Sequence, residues 1–331
     1  MKSAGGLFPG IVSPDSLRAA MIRAAQGKRA RAPVARFLQD ADRELATLRE
    51  ELIAGSYRPR PLVQFPICDP KPRLISCADF RDRVVHHAVC AQIVPPIERR
   101  MIDDNFACRV GKGSHRAVLR ARQFTLRYRY WLRTDIRHYY DRIDHETLMG
   151  CLCDLFRESP LRRLLETLVR QPLAGCPPGV GLPIGSLTSQ WFANLYLDEI
   201  DHWLKDALRM GGYIRYMDDL ALWDDSKERL WALAGDLTER LRETRRVETK
   251  REATQVGPVA EGMPFLGYRV FPSMVRERAT RVRRRHRLLR LREMQCRHGE
   301  ISEGQLQACV RSMDGPRRFL GFGEPLARRV G

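Results

Sequence analysis

At 331 residues, 44% hydrophobic and 30% charged, the chain has the composition of a soluble globular protein of about two domains. It holds no apolar run of 18 residues, so no transmembrane helix is expected, and Met1–Pro9 lacks the apolar core of a signal peptide, which points to the cytoplasm. A formal net charge of +18 asks for a polyanionic partner, nucleic acid before a membrane surface.

Residues 14–53 read as two amphipathic helices. Pro14-Asp15-Ser16 starts the first, the basic break Gly27–Arg31 separates them, and Gly55 closes the second at the position helix ends favour. Two extended runs then flank Asp69-Pro-Lys-Pro72, a hairpin with Lys71 and Arg73 at its tip. Two cations there can grip a triphosphate; a solvated turn has the same composition. Residues 81–101 are expected to be helical, interrupted by Pro95-Pro96, and the adjacent His86 and His87 read as structural. Arg109-Val-Gly-Lys-Gly-Ser114 is a basic glycine-rich loop opening a helix, which places Arg109 and Lys112 where phosphates meet backbone N–H groups. It lacks P-loop spacing, so ATP hydrolysis is not read from it. Nine cysteines with no C-x-x-C pair and no zinc spacing are expected to be reduced and mostly packed.

The chemistry lies further on. Tyr130–Ile143 begins as a strand ending in Asp135, and a helix starts near the N-cap residue Asp144. Gly181–Gln190 is a Gly/Pro loop feeding an apolar helix from Trp191 to about Leu208. In Tyr213–Trp223, two β-prone runs enclose Asp218 and Asp219 at a hairpin tip. Neighbouring acids repel, and a divalent cation relieves that repulsion; an ordinary Asp turn would look alike. Asp135 beside this hairpin completes a three-Asp site of the kind that clamps two metal ions in phosphoryl transfer. Beyond it, residues 226–244 read as a helix, Val247–Val256 and Met263–Phe271 as strands, 279–297 as a very basic helix and about 302–312 as a shorter one. Residues 276–331 hold 15 Arg against 6 acids, a net +9, which is half of the excess charge.

This ordered set resembles the palm of a reverse transcriptase over roughly residues 10–275. Thr134-Asp135 through Asp141 matches motif A, Leu182–Gln190 motif B, Tyr216–Asp219 motif C and Phe265–Tyr268 the primer grip. The resemblance implies an α+β right-hand polymerase (fingers–palm–thumb) with an antiparallel palm sheet packed on helices. Residues 1–128 would be N-terminal helices and fingers, 129–274 the palm and 275–331 a basic helical thumb. It further implies that Asp135 and Asp218 bridge two Mg²⁺ ions, Mn²⁺ being able to substitute, with Asp219 and the Ile136 carbonyl assisting. Lys71 and Arg73 would hold the nucleotide phosphates, and Lys250 would protonate the leaving group. Tyr140, five residues after Asp135, would block a ribose 2′-OH and so favour dNTPs. Arg281, Arg284, Arg285 and Arg287, with Arg109 and Lys112, would contact nucleic-acid backbone.

Arg81-Asp-Arg-Val-Val-His-His-Ala, Ala107–His115 and Pro183-Ile-Gly-Ser-Leu-Thr-Ser-Gln190 resemble the reverse transcriptases of diversity-generating retroelements. Those enzymes copy a template RNA with frequent errors opposite adenine. In motif B, Ile184 stands where the family carries Gln and Gln190 where it carries Pro, both next to the nucleotide. The implied partners are a template RNA, the RNA/cDNA duplex, dNTPs and a small helical accessory protein forming a four-helix bundle, with no membrane. An anti-phage or retron-type reverse transcriptase is the alternative, and an inactive RNA-binding palm a remote one.

Overall fold

The computed structural model describes residues 6–68 and 72–319. Its organising element is the sheet that the β-prone runs build. Strands β3 (Tyr130–Asp135), β4 (Gly212–Tyr216), β5 (Asp219–Asp224) and β6 (Gln255–Pro258) pair antiparallel in the order β4-β5-β3-β6. Side chains alternate across it. Trp131, Ile214, Ala221 and Trp223 enter one core, while Leu132, Tyr213, Leu220 and Leu222 enter the other. Both faces are therefore covered, and the acids of these strands, Asp135, Asp219 and Asp224, all sit at strand ends.

Four helices open the described chain: α1 (Leu7–Val12), α2 (Pro14–Ala25), α3 (Ala32–Gln39) and α4 (Ala41–Ala54). Two were expected over 14–53. The second of those is split because Asp40 leaves helical geometry at φ −115°, ψ 33°, while α1 is an additional turn upstream of Ser13, whose side chain caps α2. A two-stranded fingers hairpin, β1 (Val63–Ile67) with β2 (Arg73–Cys77), leads into α5 (Phe80–Arg100). This helix runs straight through Pro95 and Pro96 instead of breaking. Burial of Pro96, and of Ile97 in the main core, offsets the backbone bonds the prolines cannot make. Helix α6 (Ser114–Thr125) covers the Trp131 face of the sheet.

After β3, Asp144 caps α7 (His145–Leu155) by accepting from the Thr147 N–H at 2.9 Å. Helices α8 (Ser159–Val169), α9 (Leu187–Tyr196) and α10 (Asp198–His202) follow. The single helix expected from Trp191 is thus interrupted at Leu197 (φ −97°, ψ 3°) and ends in a π-turn over Trp203–Ala207. Helix α11 (Lys227–Arg245) returns the chain to the sheet's edge. The strand expected over 247–256 shrinks to one bridge at Thr249, a 3₁₀ turn over Arg251–Ala253 and β6. Met263–Phe271 is two strands, β7 (Met263–Phe265) and β8 (Tyr268–Val270), because Leu266 and Gly267 turn at φ 46° and 86°. Strand β9 (Val275–Glu277) pairs with β8, so the division expected after residue 274 falls inside this sheet. Helices α12 (Ala279–Arg297) and α13 (Glu303–Phe319) complete the described chain. Among the described residues, no helix is long and apolar enough to cross a membrane.

Candidate active site

Antiparallel register sets Asp135, the last residue of β3, opposite Asp219, the first of β5. The turn between β4 and β5 places Asp218 against them. Its preceding residue, Met217, holds φ 58°, a left-handed conformation that costs a non-glycine residue about 1–3 kcal/mol. The Asp218 carboxyl is pushed up to about 6, first by burial and then by the Asp135 and Asp219 carboxylates, with Arg73 opposing. Burial and the neighbouring carboxylates thus disfavour an uncompensated charge on Asp218, which a bound cation would offset.

The three acids are not equivalent. Arg133, two residues before Asp135 on the same strand face, donates to Asp219 Oδ1 from Nη2 at 2.7 Å and Nε at 3.3 Å. Lys250 donates to Asp135 Oδ1 at 3.0 Å, and its own N–H bonds the Asp135 carbonyl at 2.7 Å. Among the described residues, no three acid, His or Cys side chains converge as a complete metal cage. All three expected carboxylates gather here: Asp135 is paired with Lys250, Asp219 with Arg133, and Asp218 stands against both. Ile136 bridges Thr249 as a non-hydrogen-bonded pair, so its carbonyl points to the other strand edge, where the Asp218 hairpin lies. Two carboxylates and a carbonyl are the hard oxygen donors a Mg²⁺ ion takes, and they carry the charge it would neutralise.

The surrounding pocket is built by contacts among these elements. Tyr140 opens a 3₁₀ turn, is half-buried, and directs its hydroxyl to Met217 Sδ at 3.7 Å. Burial raises its hydroxyl pKa, as do Cys108 and Asp218, while Arg73 lowers it. Arg73, the first residue of β2, is thus felt at both Asp218 and Tyr140 from the fingers side. Lys71 lies outside the described residues. Motif B is stitched between motif A and the fingers: Leu182 N–H bonds the Tyr140 carbonyl at 2.8 Å and Ser76 N–H bonds the Ile184 carbonyl at 2.8 Å. Gly185 needs its φ of 114°, and a Cβ there would meet the Ser76 carbonyl oxygen at 2.9 Å. The Ile184 side chain lines a cavity of about 600 Å³ with Gln64, Leu74, Ser76 and Asp141. Gln190 is half-buried on the first turn of α9. Beneath the loop, buried His86 meets Thr188 Oγ1 through Nδ1 at 2.9 Å.

The basic residues divide. Arg109 donates to the Ile102 and Asn105 carbonyls at 2.7 and 3.0 Å, and Lys112 to the Asp103 carboxylate at 2.5 Å. Both side chains tie their own loop together. Arg285 grips Glu277 through both carboxylate oxygens at 2.7 and 2.6 Å, and Arg281 lies over the Tyr268 ring at 4.7 Å. These two anchor α12 to the β7–β9 sheet. Arg284 and Arg287 are exposed. Sequence reasoning passed over Arg133 and Arg215. Period-2 spacing from Asp135 marks the first, and a lone charge inside an otherwise buried strand marks the second.

The chain is similar to several known proteins. Protein YkfC of Escherichia coli (strain K12) is 23% identical over 270 residues, 69% of this chain and 71% of that protein. Group II intron-encoded protein LtrA of Lactococcus lactis subsp. cremoris is 23% identical over 171 residues, 49% of this chain. The chain spans 28% of that protein's length. Among solved structures, apo telomerase from Candida Tropicalis superposes at a TM-score of 0.49 with 11% identity, covering 66% of this chain and 49% of that one. The sequence model of reverse transcriptase (RNA-dependent DNA polymerase) matches residues 68–270, more than half of the chain, and by that match the protein belongs to the reverse transcriptase family.

Proposed function

We propose that the protein copies a template RNA into cDNA by nucleotidyl transfer at the Asp135–Asp218 centre. The observation that carries this reading is the gathering of Asp135, at the end of β3, with Asp218 and Asp219 of the hairpin, the Asp218 carboxyl pushed up to about 6, with Arg73 and Tyr140 around them. Two Mg²⁺ ions, or Mn²⁺, held by Asp135, Asp218 and the Ile136 carbonyl would supply charge neutralisation and Lewis acidity. Arg73, with Lys71, binds the triphosphate, and its guanidinium is suited to a bidentate grip on phosphate. Tyr140 closes the pocket beneath the sugar and excludes a 2′-OH. Lys250 orients Asp135 through its 3.0 Å ion pair, and Arg133 does the same for Asp219 at 2.7 Å. Fingers, palm and thumb are read as 1–128, 129–274 and 275–331, and the pairing of β9 with β8 supports starting the thumb a few residues later, at 278. Asp218→Ala is the direct test. It should lower dNTP incorporation on a primed RNA template by about 10³-fold or more while leaving RNA affinity in place. A loss of only a few-fold would sink the assignment.

The finer proposal is that copying is error-prone at adenines and serves a diversity-generating retroelement, in the cytoplasm and with a small helical accessory protein. Ile184 supports it. It lines the cavity beside β2, and its side chain can neither donate nor accept a hydrogen bond. A glutamine there would add a bond worth about 0.5–1.5 kcal/mol, roughly 2- to 13-fold in discrimination. Sequencing cDNA from wild type and Ile184→Gln on a template with all four bases decides the point. Errors should cluster opposite adenine in wild type and fall in the variant; uniformly rare errors in wild type would favour a defence-type polymerase.

A further inference from the structure

Strand β4 carries one full charge into the interior. Arg215 and its partner Asp201, on α10, are both completely buried. A two-oxygen ion pair uses two of the guanidinium's donors: Nε to Asp201 Oδ1 at 2.7 Å and Nη2 to Asp201 Oδ2 at 2.6 Å. The rest are used elsewhere. Nη2 also donates to the Asn194 carbonyl at 2.9 Å, and Nη1 to Asn194 Oδ1 and the Met217 carbonyl, each at 3.1 Å. One planar group therefore ties α9, α10 and the tip of the catalytic hairpin together.

We propose that Arg215 is a positioning residue for nucleotidyl transfer: by holding the Met217 carbonyl it fixes the peptide that leads into Asp218. The inference rests on the reading of Asp218 as a metal-holding acid. The peptide unit is planar, so pinning the Met217 oxygen also fixes the Asp218 nitrogen and Cα. Met217 sits at φ 58°, a conformation a non-glycine residue keeps only where its surroundings hold it. The Arg215 bond supplies that restraint at the carbonyl, and Tyr140 touches the same residue's sulfur from the far side. The clamp has a firm base. Arg215 N–H bonds the Asp104 carbonyl at 3.1 Å, Phe106 N–H bonds the Arg215 carbonyl at 3.0 Å, and Asn194 Nδ2 bonds the Ala107 carbonyl at 2.7 Å. Asp201 is itself held by the Tyr213 hydroxyl at 2.7 Å.

A purely structural ion pair can be exchanged for uncharged residues of like volume with little loss of fold; a clamp cannot be exchanged without losing chemistry. The test is the double variant Arg215→Met/Asp201→Asn, which removes both charges and keeps an acceptor for Tyr213. Three measurements are made on the full chain: cooperative melting, steady-state dNTP incorporation on a primed RNA template, and Mn²⁺ binding read by EPR of the free ion. The folded double variant should lose about 10²-fold in kcat, the scale of a small misplacement at a reacting centre, with KM for dNTP nearly unchanged. Its Mn²⁺ affinity should fall towards that of Asp218→Ala. Arg215→Lys keeps a charge for Asp201 but cannot reach Met217 at the same time, and should lie between the two. Should the double variant fail to fold, the lysine variant alone decides. Kinetics and Mn²⁺ affinity within threefold of wild type in a folded variant overturn the proposal. Absence of any cDNA synthesis by wild type would instead defeat the polymerase reading, and the Mn²⁺ comparison would still judge the clamp.

Discussion

The palm sheet and helix α12 use arginine in opposite ways. In the palm, Arg215 is fully buried and saturated by Asp201, Asn194 and Met217. Along residues 276–297, ten of 22 side chains are arginine, and α12 has no buried residue at all. A charge taken out of water must be paired and hydrogen-bonded, so each interior arginine is committed to one geometry. An exposed one keeps its hydration and can exchange it for phosphate. The border between the two regimes lies within α12. Arg281 and Arg285 are held by the β7–β9 sheet and Glu277, whereas Arg283, Arg287 and Arg290 line an open cleft beside Leu291 and Met294. Charge count alone does not separate structural from binding arginines; burial and partners do.

The contrast is broken or sharpened by three measurements. The largest effect is expected at Asp201→Ala, which strands Arg215 in the interior. Breaking a buried pair from one side costs about 3–5 kcal/mol, read by urea unfolding. A loss under about 1 kcal/mol would mean that water reaches Arg215 and that the palm is no drier than α12.

Next comes a pH effect on another interior group. Burial, with His87 adding to it, pushes the His86 imidazole down from 6.5 to about 4. The fold thus prefers the neutral ring. Its contribution is complete above about pH 6.5 and is lost as pH falls towards 4, at about 1.4 kcal/mol per unit, on the order of 3 kcal/mol in all. Unfolding free energies at pH 7 and pH 5 should diverge in wild type and converge in His86→Gln. Parallel slopes in the two proteins would assign the pH dependence to other groups.

The smallest effect on the fold, and the opposite signature, is expected on α12. Changing Arg283, Arg287 and Arg290 to Gln should shift stability by no more than about 0.5 kcal/mol. RNA affinity should drop across sequences, and the log–log salt slope should flatten by about 0.7–0.9 for each phosphate that is no longer neutralised. If affinity and slope stay put, α12 serves a protein partner or solubility.

What the sequence made legible follows the same division. Local patterns were readable: Asp144 as an N-cap, Gly55 as a helix end, the span 279–297 as a helix, and two strands around Asp218-Asp219. Each depends on neighbours in the chain. The pairing of Arg133 with Asp219, and Arg215's links to Asn194 and Asp201, join residues 86, 21 and 14 positions apart. No spacing rule reports them. Pro95-Pro96 read as a break because proline lacks a donor, yet core packing carries α5 through. The glycine-rich loop read as a phosphate cradle because its composition is that of one; Asp103 and two carbonyls turn its cations inward.

Met217 has a practical consequence for anyone who would redesign this enzyme. Its sulfur touches the Tyr140 hydroxyl, and its carbonyl, one peptide before Asp218, is held by Arg215. If Tyr140 gates the sugar and Asp218 holds metal as proposed, sugar choice and turnover are joined at this one residue. On that reading, trimming Tyr140 to admit a bulkier sugar also removes a contact to the hairpin that carries Asp218, so substrate range and speed are expected to change together. A library aimed at new nucleotides should therefore vary positions 140 and 217 together.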